Sequence, residues 1–286
     1  MTPAWPNAMP ALITAFDDDG NLDLDNHEHN VSLISAAGAL GVLVAGSTGE
    51  GPYLESGERA ALVSGARKVK TDLVIICGIF AESSRSARAQ MIEAVDARAD
   101  ALLVVTPTTL LRGRVPWIKD YYEWIADTSP IPVFLYSVPA VTGYELDCDS
   151  VAELADHPNI VGMKDSGGDV TRLDELATIL SNEFIVYAGA SRVLADSFDR
   201  GAHGAITASA NYAFRLVEEA AAGGRDAQRH LLEATSVVER HGVPGTKYAA
   251  SLAGMRPGNG RRPLPVLDSE ARESISHAFA GLSVPS

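Results

Sequence analysis

The chain is expected to be an α/β protein, a TIM (β/α)8 barrel with a C-terminal helical extension, and three observations predict this. Eight short apolar runs rich in β-branched residues recur along it, with starts separated by 30, 32, 28, 31, 28, 24 and 20 residues. Each run is continuous and not alternating, as a strand buried on both faces must be. Amphipathic helical patterns fill the intervals between them. Strand then helix, repeated eight times at about 30 residues, is the spacing of a closed parallel barrel; a doubly wound open sheet commonly has about five to seven such units.

The runs are Ala11–Phe16, Gly41–Ala45, Leu73–Ile79, Ala101–Thr106, Pro132–Tyr136, Ile160–Lys164, Phe184–Ala188 and Gly204–Ala208. After the second, Leu62, Ala66 and Val69 fall at i, i+4, i+7. After the third, Ala87, Met91 and Ala94 repeat that spacing behind the Ser83-Ser84 pair. Leu173, Leu176 and Leu180 follow the sixth, with Asp169 as the expected N-cap. Beyond the eighth run the pattern is helical over Tyr212–Ala222, Ala227–His241, Thr246–Ala253 and Asp268–Ala280, interrupted by a Pro- and Gly-rich loop over 257–265. The barrel is therefore placed at residues 1–224 and the helical extension of the same domain at 225–286.

Composition narrows the function. There are 23 basic against 37 acidic residues, a net charge of −14, which argues against nucleic acid or an anionic membrane as partner. The first 58 residues hold no Lys or Arg, so neither a secretory signal nor a transit peptide is expected. Cys77 and Cys148 match no C-x-x-C spacing and suit a reduced, cytoplasmic protein. The uncharged 20 residues from Asn30 to Gly49 contain four glycines and read as a helix end and a buried strand rather than a membrane span. Metal sites are not expected. His27-Glu28-His29 falls in a helix, where i and i+2 face apart, and Asp17-Asp18-Asp19-Gly20 lacks the EF-hand spacing.

Barrel chemistry sits at the C-terminal ends of the strands, and that rule selects few residues. Lys164 closes the apolar run Ile160-Val-Gly-Met-Lys164. A lysine there loses hydration, which disfavours the ammonium and frees an amine able to attack a ketone and form a Schiff base. Tyr136 ends the preceding run, and neighbouring strands lie about 5 Å apart, so its hydroxyl is placed to shuttle a proton. The turn Gly46-Ser47-Thr48-Gly49 offers N–H groups and two hydroxyls for a carboxylate. Ser166 follows Lys164, and Gly189, Ser191 and Arg192 follow the seventh run; Arg192, opening the next helix, is a candidate for a distal carboxylate.

Taken together, these residues resemble the Schiff-base pyruvate aldolases of the dihydrodipicolinate synthase and N-acetylneuraminate lyase family. The likeness spans essentially the whole chain: Ala11-Leu-Ile-Thr-Ala-Phe-Asp-Asp-Asp-Gly20, Gly46-Ser-Thr-Gly-Glu50, Tyr136-Ser-Val-Pro139 with Thr142-Gly143, Lys164, Gly189, Gly204, Gly242-Val-Pro-Gly245 and Arg262-Pro-Leu-Pro265. His157 through Arg172 is most similar to the 4-hydroxy-2-oxoglutarate aldolases. The resemblance implies Lys164 as Schiff-base lysine and Tyr136 as proton shuttle, with Ser47 and Thr48 on the pyruvyl carboxylate and Ser166 in the distal pocket. It further implies a small-molecule 2-oxo acid substrate, no cofactor beyond the covalent imine, no metal, and a homotetramer or dimer of dimers.

Two departures shape the expected reaction. The family's tyrosine pair after the fourth strand is replaced, by Thr108-Thr109 or by Leu110-Leu111 according to the alignment, so the phenol contributed across subunits is missing. The arginine that holds a carboxylate in the synthases is Val141, and the acidic pair of the neuraminate lyases is Ser191-Arg192. The expected activity is a class I aldolase cleaving or forming a 2-oxo-4-hydroxy acid with pyruvate as enamine partner. Dehydration of a 2-oxo-3-deoxy sugar acid, synthase-like condensation and a weakened keto-acid-binding paralogue are the alternatives.

Overall fold

The computed structural model describes residues 4–181 and 183–282. Residues 1–3, 182 and 283–286 of the expected barrel and extension lie outside that description. Eight strands alternate with helices: β1 (Ala8–Pro10), α1 (Leu24–Ala36), β2 (Gly41–Val44), α2 (Glu58–Val69), β3 (Val74–Ile79), α3 (Ser84–Asp96), β4 (Ala101–Val105), α4 (Val115–Thr128), β5 (Val133–Ser137), α5 (Pro139–Thr142), α6 (Cys148–Ala155), β6 (Ile160–Asp165), α7 (Thr171–Leu176), β7 (Ile185–Ala188), α8 (Leu194–Asp199), β8 (Gly204–Thr207) and α9 (Phe214–Ala221). The strands are parallel, in the hydrogen-bonded order β1-β8-β7-β6-β5-β4-β3-β2. A bridge between Ala11 and Leu43, with the Leu12 N–H donating to the Leu43 carbonyl at 2.8 Å, joins the two ends into a TIM barrel. Helices α10 (Arg225–Val238), α11 (Gly242–Leu252) and α12 (Ser269–Ala280) form the C-terminal extension. No helix among the described residues is long and apolar enough to cross a membrane.

Both faces of the strands are covered, which is why the apolar runs are continuous. Met9, Leu43, Leu103, Phe134, Tyr187 and Ile206 pack inside the barrel. Val42, Ile75, Leu102, Leu135 and Met163 face the helix layer. Full burial of such side chains contributes about 1.5–3 kcal/mol each. At the N-terminal end of the barrel, Trp5 packs edge-on to Phe134 at 5.0 Å between ring centroids.

Two local expectations are corrected. The first strand is Ala8–Pro10, not Ala11–Phe16. Past Leu12 the chain leaves the ladder, and the Asn211 side chain takes up the Ile13 N–H at 3.1 Å. From Ile13 to Phe16 the apolarity of that run reflects burial rather than pairing with a neighbouring barrel strand. Asp169 does not cap a long helix either: its carboxylate accepts from the Thr171 N–H two residues on at 3.0 Å, and α7 ends at Leu176, short of Leu180. Ser83 does cap α3, accepting from the Ser86 N–H.

Candidate active site

Lys164 reaches the barrel interior through an irregularity in β6. Val133 pairs with Ile160, but Phe134 pairs with Gly162, so Val161 is an extra residue and the register shifts. Ile160 and Met163 both face the helix layer, three positions apart, whereas strict alternation would put residues of opposite parity on opposite faces. The shift brings Lys164 opposite Tyr136. Lys164 is 4% exposed and Tyr136 2%. The Lys164 Nζ lies 3.4 Å from the Tyr136 hydroxyl and 4.7 Å from the centre of its ring. That hydroxyl is 3.0 Å from the Ser47 Oγ, so an amine, a phenol and an alcohol form one row at the barrel mouth.

The turn bearing Ser47 and Thr48 is held in an unusual backbone. Ala45 has φ 54° and Glu50 φ 57°, the left-handed region, which costs about 1–2 kcal/mol for a residue with a Cβ. Gly51 and Gly78 make room for the Ala45 carbonyl oxygen, from which a Cβ on either would stand 2.2 Å. The buried Arg59 donates to the Gly51 carbonyl at 2.6 Å and to the Gly78 carbonyl at 3.3 Å, fixing both against the turn. At its far end Glu50 pairs with Lys247 of α11 at 2.6 Å; their side chains are 1% and 3% exposed. The second Glu50 oxygen accepts from the Arg261 N–H at 2.7 Å. Burial pulls the Lys247 ammonium below the ordinary lysine range, and the Glu50 carboxylate opposes that shift.

Lys164, Tyr136, Ser47, Thr48, Ser166, Gly189 and Arg192 all line one cavity of about 290 Å³. Gly189 is required there: a Cβ would meet the Ser166 Oγ at 2.1 Å and the Lys164 Cε at 2.9 Å. Ser191, expected on the substrate, does not line that cavity: it is buried, its Oγ 2.9 Å from that of Ser209 on the turn after β8. Arg192 lines the cavity and donates to the Gly167 carbonyl at 2.8 Å. Arg112 and Arg114 stand off the lining: Arg112 donates to the Thr142 carbonyl at 2.9 Å, and Arg114 lies over the Trp117 ring. In the loop after β4, Glu82 accepts the Thr108 and Thr109 N–H groups at 3.1 and 2.9 Å, and neither threonine lines the cavity.

Sequence reasoning assigned no role to Glu239, Gly242, Val243 and Thr246, which line the same cavity from the extension. Their one signal was the Gly242-Val-Pro-Gly245 motif. Among the described residues no cluster of His, Cys, Asp or Glu has the arrangement to hold a metal ion. The histidines of the H-x-H motif separate: His27 Nε2 lies 2.9 Å from the Leu62 carbonyl and His29 Nε2 3.1 Å from that of Gly254.

A barrel with a buried lysine beside a tyrosine at its C-terminal mouth defines a class of enzyme built for ketone chemistry at an amine. The model of the Dihydrodipicolinate synthetase family matches residues 5–280, and the chain belongs to that family. Its members are pyruvate-using lyases that work through a Schiff-base lysine and need no external cofactor. The chain is 32% identical to 4-hydroxy-tetrahydrodipicolinate synthase 1 of Streptomyces coelicolor, covering 96% of this chain and 92% of the relative. Among solved structures, the chloride-inhibited dihydrodipicolinate synthase of Acinetobacter baumannii complexed with pyruvate superposes with a TM-score of 0.91 at 28% identity, covering 98% of this chain and 99% of the other. A prophage protein of the same family from E. coli K12, in complex with pyruvate, gives a TM-score of 0.89 at 26% identity, covering 96% and 98%.

Proposed function

We propose that this protein is a class I aldolase that cleaves or forms a 2-oxo-4-hydroxy acid through an imine on Lys164. The observation that carries the reading is the buried Lys164 amine in register with Tyr136, whose hydroxyl also meets Ser47. The amine adds to the C2 ketone, Tyr136 gives its phenol proton to the departing hydroxyl, and water leaves, giving a protonated imine beside a phenolate. Tyr136 takes the C4 hydroxyl proton, the C3–C4 bond breaks, and its electron pair passes into the imine to give an enamine and an aldehyde. Protonation at C3 and hydrolysis then release pyruvate and restore the amine. Ser47 and Thr48 hold the substrate's C1 carboxylate, and Ser166 borders the chain beyond C3.

Val141, at the position of the synthase arginine, is 56% exposed and brings no cation, which favours the aldolase over a synthase-like condensation. The motif likeness to 4-hydroxy-2-oxoglutarate aldolase makes that dicarboxylate a first compound to assay. Product analysis separates the aldolase, which yields pyruvate and an aldehyde, from a dehydratase, which leaves the carbon chain intact. The working form is a homotetramer in the cytoplasm; light scattering tests the assembly and cell fractionation the compartment. The central experiment is incubation with pyruvate and borohydride followed by digestion. A reduced pyruvyl adduct on Lys164 is expected, and its absence overturns the enzymatic reading.

A further inference from the structure

We propose that Glu239 is a specificity-determining residue of this aldol reaction, selecting substrates whose chain beyond C4 carries neutral hydroxyls over those ending in a second carboxylate. The inference rests on the Schiff-base aldolase reading above and deepens it. Three charged side chains line the cavity: Lys164, Arg192 and Glu239. Lys164 is taken by the ketone, and Ser47 and Thr48 by the C1 carboxylate. Arg192 and Glu239 are therefore left to the far part of the chain.

These two groups come from different parts of the fold. Arg192 stands on the turn after β7, and Glu239 on the 3-10 turn Glu239–His241 between α10 and α11. Both are exposed toward solvent. Among the described residues neither is joined in an ion pair, to the other or to a third group. The cavity thus offers a cationic donor and an anionic acceptor that do not neutralise each other directly.

The chemistry of possible tails then differs. A carboxylate only accepts hydrogen bonds, so it suits Arg192 but brings like charge toward Glu239. A hydroxyl donates and accepts, so a hydroxylated chain can satisfy both groups at once. Arg192 alone, as read from the sequence, favours a dicarboxylate; Glu239, supplied by the extension, reverses that preference.

The test uses the full chain and two aldehyde acceptors with pyruvate. Glyceraldehyde leads to a hydroxylated tail and glyoxylate to a second carboxylate. The ratio of their kcat/KM values is measured for the wild type, Glu239→Gln and Glu239→Ala, and borohydride trapping of pyruvate on Lys164 is run on each. The wild type is expected to favour glyceraldehyde, and both variants to lower the ratio about tenfold, mainly by raising kcat/KM for glyoxylate. The Lys164 adduct should form equally in all three, which also reports an intact fold. An unchanged ratio with the adduct present overturns the role of Glu239 and leaves the aldolase reading standing. An adduct with turnover of neither aldehyde overturns the role of Glu239 as well. No adduct in the wild type overturns the aldolase reading and this inference with it.

Discussion

Tyr136 and Lys164 are cross-strand partners only because Val161 is an extra residue in β6. Counting without it, Lys164 would stand beside Ser137 and point toward the helices. The site thus depends on one irregularity placed three residues before its lysine.

That dependence can be tested at Gly162, where a Cβ would lie 2.2 Å from the Ile185 carbonyl oxygen and 2.8 Å from the Phe134 ring. Gly162→Ala is expected to cost about 1–3 kcal/mol, as overpacking of a tight core does. It should also lower the yield of borohydride-trapped adduct at Lys164. Urea unfolding and mass spectrometry of the digested protein measure the two effects.

Tyr136 links the amine to Ser47, and its hydroxyl is the one phenol within hydrogen-bond range of Lys164 among the described residues. Tyr136→Phe keeps the ring in place and removes the proton carrier. A fall in kcat of about 10²–10⁴ is expected, with the adduct on Lys164 still trapped. Steady-state kinetics beside trapping separates a lost shuttle from a lost imine.

The Glu50–Lys247 pair ties α11 to the turn that carries Ser47 and Thr48. In Lys247→Met the Glu50 carboxylate stays buried without its counter-charge, which should cost about 3–5 kcal/mol. The turn is expected to loosen and KM for pyruvate to rise more than kcat falls. Denaturant titration and initial rates check both.

His27 is fully buried, and burial pulls its imidazole down to about 4 from the ordinary 6.5. Above pH 6.5 both the folded and unfolded forms carry it neutral, and its contribution is complete. As pH falls from 6.5 to about 4 the unfolded chain binds the proton first, so stability is lost across that window, by about 3 kcal/mol in full. His27→Gln, which keeps a donor for the Leu62 carbonyl, should flatten this part of the curve. Urea unfolding at pH 7 and pH 4.5 measures it.

Much of the molecule was legible in the sequence. Continuous apolar runs at a steady interval determined a barrel of eight parallel strands, since only strands covered on both faces tolerate such composition. A lysine ending one run and a tyrosine ending the one before determined which strand ends to examine. The same continuity hid other features. A run without alternation does not reveal which face each residue takes, so neither the extra residue at Val161 nor the true first strand at Ala8–Pro10 could be read. Tertiary structure turned Ser191 toward Ser209 and brought Glu239 from the extension to the mouth of the site. Both outcomes depend on backbone direction at turns and on contacts far apart in the chain, which local periodicity does not encode.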